Sequence, residues 1–147
     1  MDDDSGFLLL AKRSLRQAGV PPENITSCPD GVEAKTLLER EASPPSLILI
    51  DQKMPRVSGI ELLKWMRSKL KLEGVRVFML STSEDPEEVR KAYQLGVDGY
   101  LVKPVGMPEL RTQLTDVLLF CVSPDLCPEV SGRVARSAPP PESPPGA

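Results

Sequence analysis

LILIDQKMP, residues 47–55, sets an unbroken aliphatic run directly against a carboxylate and a Met-Pro turn. Leu47, Ile48, Leu49 and Ile50 show no period-two alternation, so the stretch reads as an interior strand of a parallel sheet, buried on both faces. Asp51 then falls in the crevice beyond the carboxyl end of the strand, where such sheets keep their chemistry. Taken alone, an Asp after an apolar run need only terminate the strand, and the rest of the chain decides between the two readings.

Toward the C-terminus, Ser58 can cap a helix whose Ile60, Leu63, Met66 and Leu70 form one apolar face. VRVFML (75–80) is the next strand. STSEDP supplies a cap and an early proline for a helix over 86–95, with Val89, Ala92 and Tyr93 inward and Gly96 past its end. DGYLV (98–102) is a short strand followed directly by Lys103-Pro104, and Leu110, Leu114, Val117 and Leu118 stripe a last helix. Toward the N-terminus, Leu8, Ala11, Leu15 and Ala18 predict a helix over 5–18 closed by Gly19. NITSC (24–28) leans toward β structure, Pro29-Asp30-Gly31 turns, and Val32–Arg40 reads as a helix stopped by Ser43-Pro44-Pro45. Strands alternating with helices predict a doubly wound parallel sheet in a three-layer α/β/α arrangement. Its carboxyl edge would gather Asp51, Ser81 and Lys103, with Asp2 and Asp3 just before the first helix.

Composition narrows the function classes. The 147 residues amount to one domain. A net charge of −3 without any basic block argues against a nucleic-acid-binding face. No apolar stretch approaches the ~20 residues of a membrane span, and MDDDSG lacks the basic start of a signal peptide, so the expectation is a cytoplasmic protein. The three cysteines, Cys28, Cys121 and Cys127, have no metal-ligand spacing and fit a reducing compartment. Histidine is absent, which excludes Ser-His-Asp catalysis, histidine-ligated metals and a phosphohistidine on this chain. No G-x-G-x-x-G or Walker loop supports a nucleotide enzyme. Beyond Phe120 the composition turns to Pro and Ser with few large apolar residues, predicting a domain over 1–120 and a disordered tail over 121–147.

The segments DDDSG, ILIDQKMPRVSGIELL, VFMLSTS and GVDGYLVKP, in this order and spacing, resemble a response-regulator receiver domain of the single-domain type, the phosphoacceptor module of two-component signalling. The resemblance covers residues 2 to about 119 and implies a flavodoxin-like fold. It implies that Asp51 accepts a phosphoryl group from a histidine kinase or phosphotransfer protein, and that the signal passes to a downstream protein target. Asp2, Asp3, Asp51 and the backbone carbonyl of Lys53 match the residues that hold Mg²⁺; Lys103 matches the phosphate-pairing lysine, Ser81 the switch hydroxyl and Tyr100 the switch aromatic. Crowded carboxylates repel, so a hard divalent cation would keep them ionised and neutralise an incoming phosphate. Phosphate on Asp51 would draw the Ser81 hydroxyl inward and vacate space into which Tyr100 rotates, remodelling the face of the fourth helix, last strand and fifth helix. That face also offers a homodimer contact. The protein would promote only its own phosphorylation and dephosphorylation, without being an enzyme toward other substrates.

Three departures from the family pattern carry expectations of their own. The family begins with an apolar strand before the acidic pair, but only Met1 precedes Asp2, so most or all of the first strand is expected to be missing and Asp2 and Asp3 to lie on a fraying terminus. A phosphorylation-independent, receiver-like interaction fragment is therefore the alternative. Lys53 adds a cation at the pocket rim, and Thr82 is bulkier than the residue often found there. In related domains the peptide matching Lys103–Pro104 is often cis.

Overall fold

The computed structural model describes residues 1–122; the rest of the Pro- and Ser-rich segment lies outside the described residues. Two α-helices precede a strictly alternating run of three strands and three helices: α1 Ser5–Gln17, α2 Gly31–Arg40, β1 Leu47–Asp51, α3 Gly59–Arg67, β2 Arg76–Ser81, α4 Pro86–Gln94, β3 Gly99–Val102 and α5 Met107–Val122. α5 thus runs past the boundary at residue 120 expected from composition.

The strands form one parallel sheet in the order β1-β2-β3. Its register pairs Asp51 with Leu80 and Ser81 with Val102, so Asp51, Ser81 and Lys103 arrive at one edge. Alternation within β2 divides the core. Val77 and Met79 pack with Leu38, Leu62, Leu63, Met66 and Ala92 on the α2–α3–α4 side, while Phe78 and Leu80 pack with Leu101 and Val117 on the other. Ala11, Leu110 and Leu114 join α1 to α5 over that second face. Burial of a large aliphatic side chain contributes about 1.5–3 kcal/mol, so these two layers dominate the stability of the sheet.

Side-chain caps at the helix starts fix how the chain leaves the strand ends. Asp30 accepts from the N–H groups of Val32 and Glu33, Asp85 from Glu87, and Ser58 forms a reciprocal capping box with Glu61. Such a cap stabilises a helix by ~1 kcal/mol. A Cβ on Gly59 would stand 2.4 Å from the Asp51 carbonyl oxygen, so the turn from β1 into α3 closes only over a residue without a side chain. At the opposite edge, Arg67 donates to the carbonyls of Leu72, Glu73, Val75 and Gly96 and lies 3.6 Å from Asp98.

Four expectations are corrected. Leu70 does not belong to the apolar face of α3: the helix ends at Arg67, and Leu70 opens a 3₁₀ turn, 89% exposed. NITSC forms no strand, since the backbone beside it supplies one ladder bond, from Asp2 N–H to the Cys28 carbonyl at 3.1 Å. No described peptide bond is cis, Lys103–Pro104 included. No strand precedes α1 among the described residues, yet the first residues are not frayed: the Met1 ammonium donates to the Leu49 carbonyl at 2.9 Å, Asp51 N–H donates to the Met1 carbonyl at 2.9 Å, and Asp2 is 2% exposed. Two residues thereby fill a strand position between β1 and Cys28, and their hydrogen bonds rather than a full ladder hold them.

Candidate functional site

The carboxyl edge of the sheet gathers three acids and a lysine. Carboxylate oxygens of Asp2, Asp3 and Asp51 lie within 4.8 Å of one another, with Asp2 and Asp51 buried and Asp3 exposed. Asp51 is carried by the end of β1, while Asp2 is fixed on both oxygens: Oδ1 accepts from Asp4 N–H at 2.9 Å and Oδ2 from the Lys103 ammonium at 2.7 Å. Lys103 also lies 3.2 Å from Asp51 Oδ1. Its own position follows from β3, because Lys103 N–H donates to the Ser81 carbonyl at 2.8 Å and extends the β2–β3 ladder one residue beyond the strand.

The electrostatics follow from this crowding. Burial, and then the charge of Asp2, push Asp51 up to about 6; Lys103 and the backbone N–H of Lys53 pull the other way. Burial draws the Lys103 ammonium down, but the hydrogen bond and charge of Asp2, joined by Asp51, outweigh it and leave the lysine above its ordinary value. One ammonium therefore does not fully offset the clustered carboxylates. Oxygen-only donors in this number suit a hard divalent cation, and Asp2, Asp3 and Asp51 are placed to hold one.

Ser81 and Tyr100 are both tied to Ser83, in the loop that leaves the same strand end. Ser81 ends β2, 1% exposed, and its hydroxyl accepts from Ser83 N–H at 3.0 Å. Tyr100, also 1% exposed, donates its hydroxyl to the Ser83 carbonyl at 3.0 Å. Burial raises the Tyr100 hydroxyl pKa, with Ser81 opposing. In the unphosphorylated chain the Tyr100 ring is therefore buried, its hydroxyl held by the β2–α4 loop. Lys53 and Thr82 are exposed at the rim.

The sequence signalled Asp2, Asp3, Asp51, Ser81, Tyr100 and Lys103, and the fold brings five of them to one edge, with Tyr100 inside β3 reaching the edge loop through its hydroxyl bond to Ser83. The sequence reading did not single out two further contributors. The Met1 backbone ties Asp51 to Asp2, its ammonium pKa lowered by burial. Phe7 places its ring centroid 4.5 Å from the Lys103 nitrogen, a cation–π contact from the first turn of α1; the F in DDDSGF was the available signal.

The family model for the response regulator receiver domain matches residues 1–115. A chemotaxis protein CheY homologue of Campylobacter jejuni is 34% identical over 118 residues, covering 80% of this chain and 88% of its own. The crystal structure of a phosphorylated cyanobacterial phytochrome response regulator, RcpA, superposes with a TM-score of 0.77 at 29% identity, covering 87% of this chain and 94% of that one. A Mn²⁺-bound form of response regulator Rcp1 shares the fold, with a TM-score of 0.73 at 23% identity, covering 87% of this chain and 95% of that one.

Proposed function

The chain belongs to the response regulator receiver domain family, and on that premise we propose that it takes a phosphoryl group onto Asp51 from a phosphohistidine on a kinase or phosphotransfer protein. The observation that carries the reading is the buried Asp51 at the strand end, flanked by Asp2 and Asp3 and paired with Lys103 at 3.2 Å. An Asp51 carboxylate oxygen attacks phosphorus, the P–O bond of an acyl phosphate forms, and the P–N bond of the donor breaks with its electron pair leaving on the imidazole. Asp2, Asp3, Asp51 and the Lys53 carbonyl would hold Mg²⁺, which when bound offsets the charge of the carboxylates and the phosphoryl oxygens. Lys103 stays charged at any physiological pH and pairs with a transferred oxygen. Phe7 limits where its ammonium can swing.

Signal output runs through the Ser81–Ser83–Tyr100 hydrogen bonds. A phosphoryl oxygen competes for the Ser81 hydroxyl, frees the Ser83 N–H and shifts the carbonyl that holds Tyr100. The change is an exchange of hydrogen bonds around a ring that is already inside. It reaches the surface of α4, β3 and α5, where Val105 stands fully exposed beside Pro104 and a protein target can dock. The chain acts within a two-component system and catalyses nothing beyond its own phosphorylation and dephosphorylation.

Incubation with a radiolabelled phosphohistidine protein and Mg²⁺ tests the proposal. The expected product is a label on this chain that hydroxylamine removes, as it does an acyl phosphate, and that Asp51→Asn lacks. A hydroxylamine-resistant label would place the phosphate on a hydroxyl and refute the assignment.

A further inference from the structure

Asp30 and Arg56 stand apart from the acids, yet their contact closes a ring around them. Asp30 Oδ1 accepts from Val32 and Glu33 N–H at 2.8 and 2.9 Å, which commits that oxygen to capping α2, and Oδ2 takes the Arg56 guanidinium. A second contact adjoins the first: a Cβ on Gly31 would stand 2.6 Å from the Val57 Cβ, so the first turn of α2 and the loop after β1 meet with no room for a methyl group. Arg56 itself holds a φ of 66°, the left-handed region that a side chain adopts only when its surroundings demand it. From Asp30 the chain leads back to Cys28, whose carbonyl accepts from Asp2 N–H at 3.1 Å. From Arg56 it leads back through Lys53 to Asp51, whose N–H donates to the Met1 carbonyl at 2.9 Å. The ring therefore runs Asp2, Cys28, Asp30, Arg56, Lys53, Asp51, Met1, and Asp30–Arg56 is its side-chain link.

We infer that Asp30 and Arg56 are positioning residues for the divalent cation: their ion pair sets the Lys53 carbonyl and the Asp2 carboxylate at a fixed separation from Asp51. The inference rests on the reading of Asp2, Asp3, Asp51 and Lys53 as the groups that hold the ion. Mg²⁺ demands near-octahedral geometry and tolerates displaced ligands poorly, so a strut on the ligand-bearing loop acts directly on affinity. The Asp30 side chain is 6% exposed and the Arg56 side chain 65% exposed, so removing the arginine also strands a buried carboxylate.

Calorimetric titration of Mg²⁺ into the intact chain tests this with Arg56→Gly, Arg56→Lys, Asp30→Asn and the Arg56→Gly/Asp30→Asn double variant. Glycine accepts the left-handed φ, so Arg56→Gly removes the ion pair without backbone strain, and asparagine preserves the helix cap, so Asp30→Asn removes it without stranding a buried charge. Groups that orient metal ligands are typically worth 10–100-fold, and the expected loss for Arg56→Gly or Asp30→Asn is about tenfold. The double variant should bind no more weakly than either single one, and Arg56→Lys should recover most of the affinity. Wild-type affinity in Arg56→Gly and Asp30→Asn, or losses that add in the double variant, would overturn the inference. If Asp30→Asn unfolds, Arg56→Gly at its exposed position decides alone. Failure of the unmodified chain to bind Mg²⁺ would overturn the reading of the acidic site, and the inference with it, before any variant is compared.

Discussion

Replacing Asp51 by Asn should make the metal-free protein more stable, although it removes the proposed nucleophile. Burial and the charge of Asp2 raise Asp51 from 3.8 to about 6. At about 1.36 kcal/mol per pH unit this is ~3 kcal/mol in favour of the protonated form. Because the folded-state value is raised, the folded chain binds that proton more tightly than the unfolded chain does. The contribution of Asp51 to stability therefore falls as pH rises between about 4 and 6, and the penalty is complete above about 6. Asparagine keeps the volume and drops the charge. The value of about 6 already includes the opposing pull of Lys103, and relaxation of the site around the charge narrows the expected gain to about 1.5–3 kcal/mol near pH 7.5. Urea denaturation without divalent ions measures it, and a gain of this size corresponds to a Tm higher by roughly 5–10 °C. Near pH 4.5 the gain should shrink to about a third, because that pH lies less than one unit above the unfolded-state value of 3.8 and only that part of the shift has come into play. Mg²⁺ should stabilise the unmodified chain and narrow the gap from the other side. Equal or lower stability of Asp51→Asn near pH 7.5, or a gain that grows toward pH 4.5, would refute the account of crowded carboxylates.

Lys103→Met removes the ammonium 2.7 Å from Asp2 and 3.2 Å from Asp51, so carbon-13 NMR should show Asp51 titrating above about 6; a lower value would contradict the ion pair. Arg67→Ala strips hydrogen bonds from the carbonyls of Leu72, Glu73, Val75 and Gly96, and urea denaturation should report a loss of about 2–3 kcal/mol with Mg²⁺ affinity unchanged, since these contacts lie at the edge away from the acids. Gly59→Ala forces a Cβ to 2.4 Å from the Asp51 carbonyl oxygen and should cost about 1–3 kcal/mol while weakening Mg²⁺ binding; an unperturbed variant would mean the β1–α3 turn has slack.

The edge that carries Asp51, Ser81 and Lys103 was legible because each ends or succeeds an apolar run, and parallel strands with matched ends deliver their terminal residues to one place. The Ser58 cap was legible for the same local reason, whereas STSEDP offered several capping side chains and spacing did not single out Asp85. Leu70 continued the spacing of Ile60, Leu63 and Met66, and the pattern could not show that the chain leaves the helix at Arg67. The Asp30–Arg56 pair joins residues far apart in sequence and was beyond any periodicity argument, although Asp30 before Val32 and Glu33 already had the form of a cap. The anchoring of Asp2 was missed because a terminus was expected to fray, whereas backbone bonds to Leu49, Asp51 and Cys28 hold it. The hydroxyl of Tyr100 bonds a carbonyl of the β2–α4 loop, a contact that sequence spacing does not locate.

Intact-mass measurement after incubation with a small phosphodonor tests the central claim most directly, with and without Mg²⁺ and alongside Asp51→Asn. The account predicts the mass of one added phosphoryl group, dependent on Mg²⁺ and absent from the variant. No adduct on a chain that circular dichroism shows to be folded would contradict it and leave a receiver fold that works through protein contacts alone.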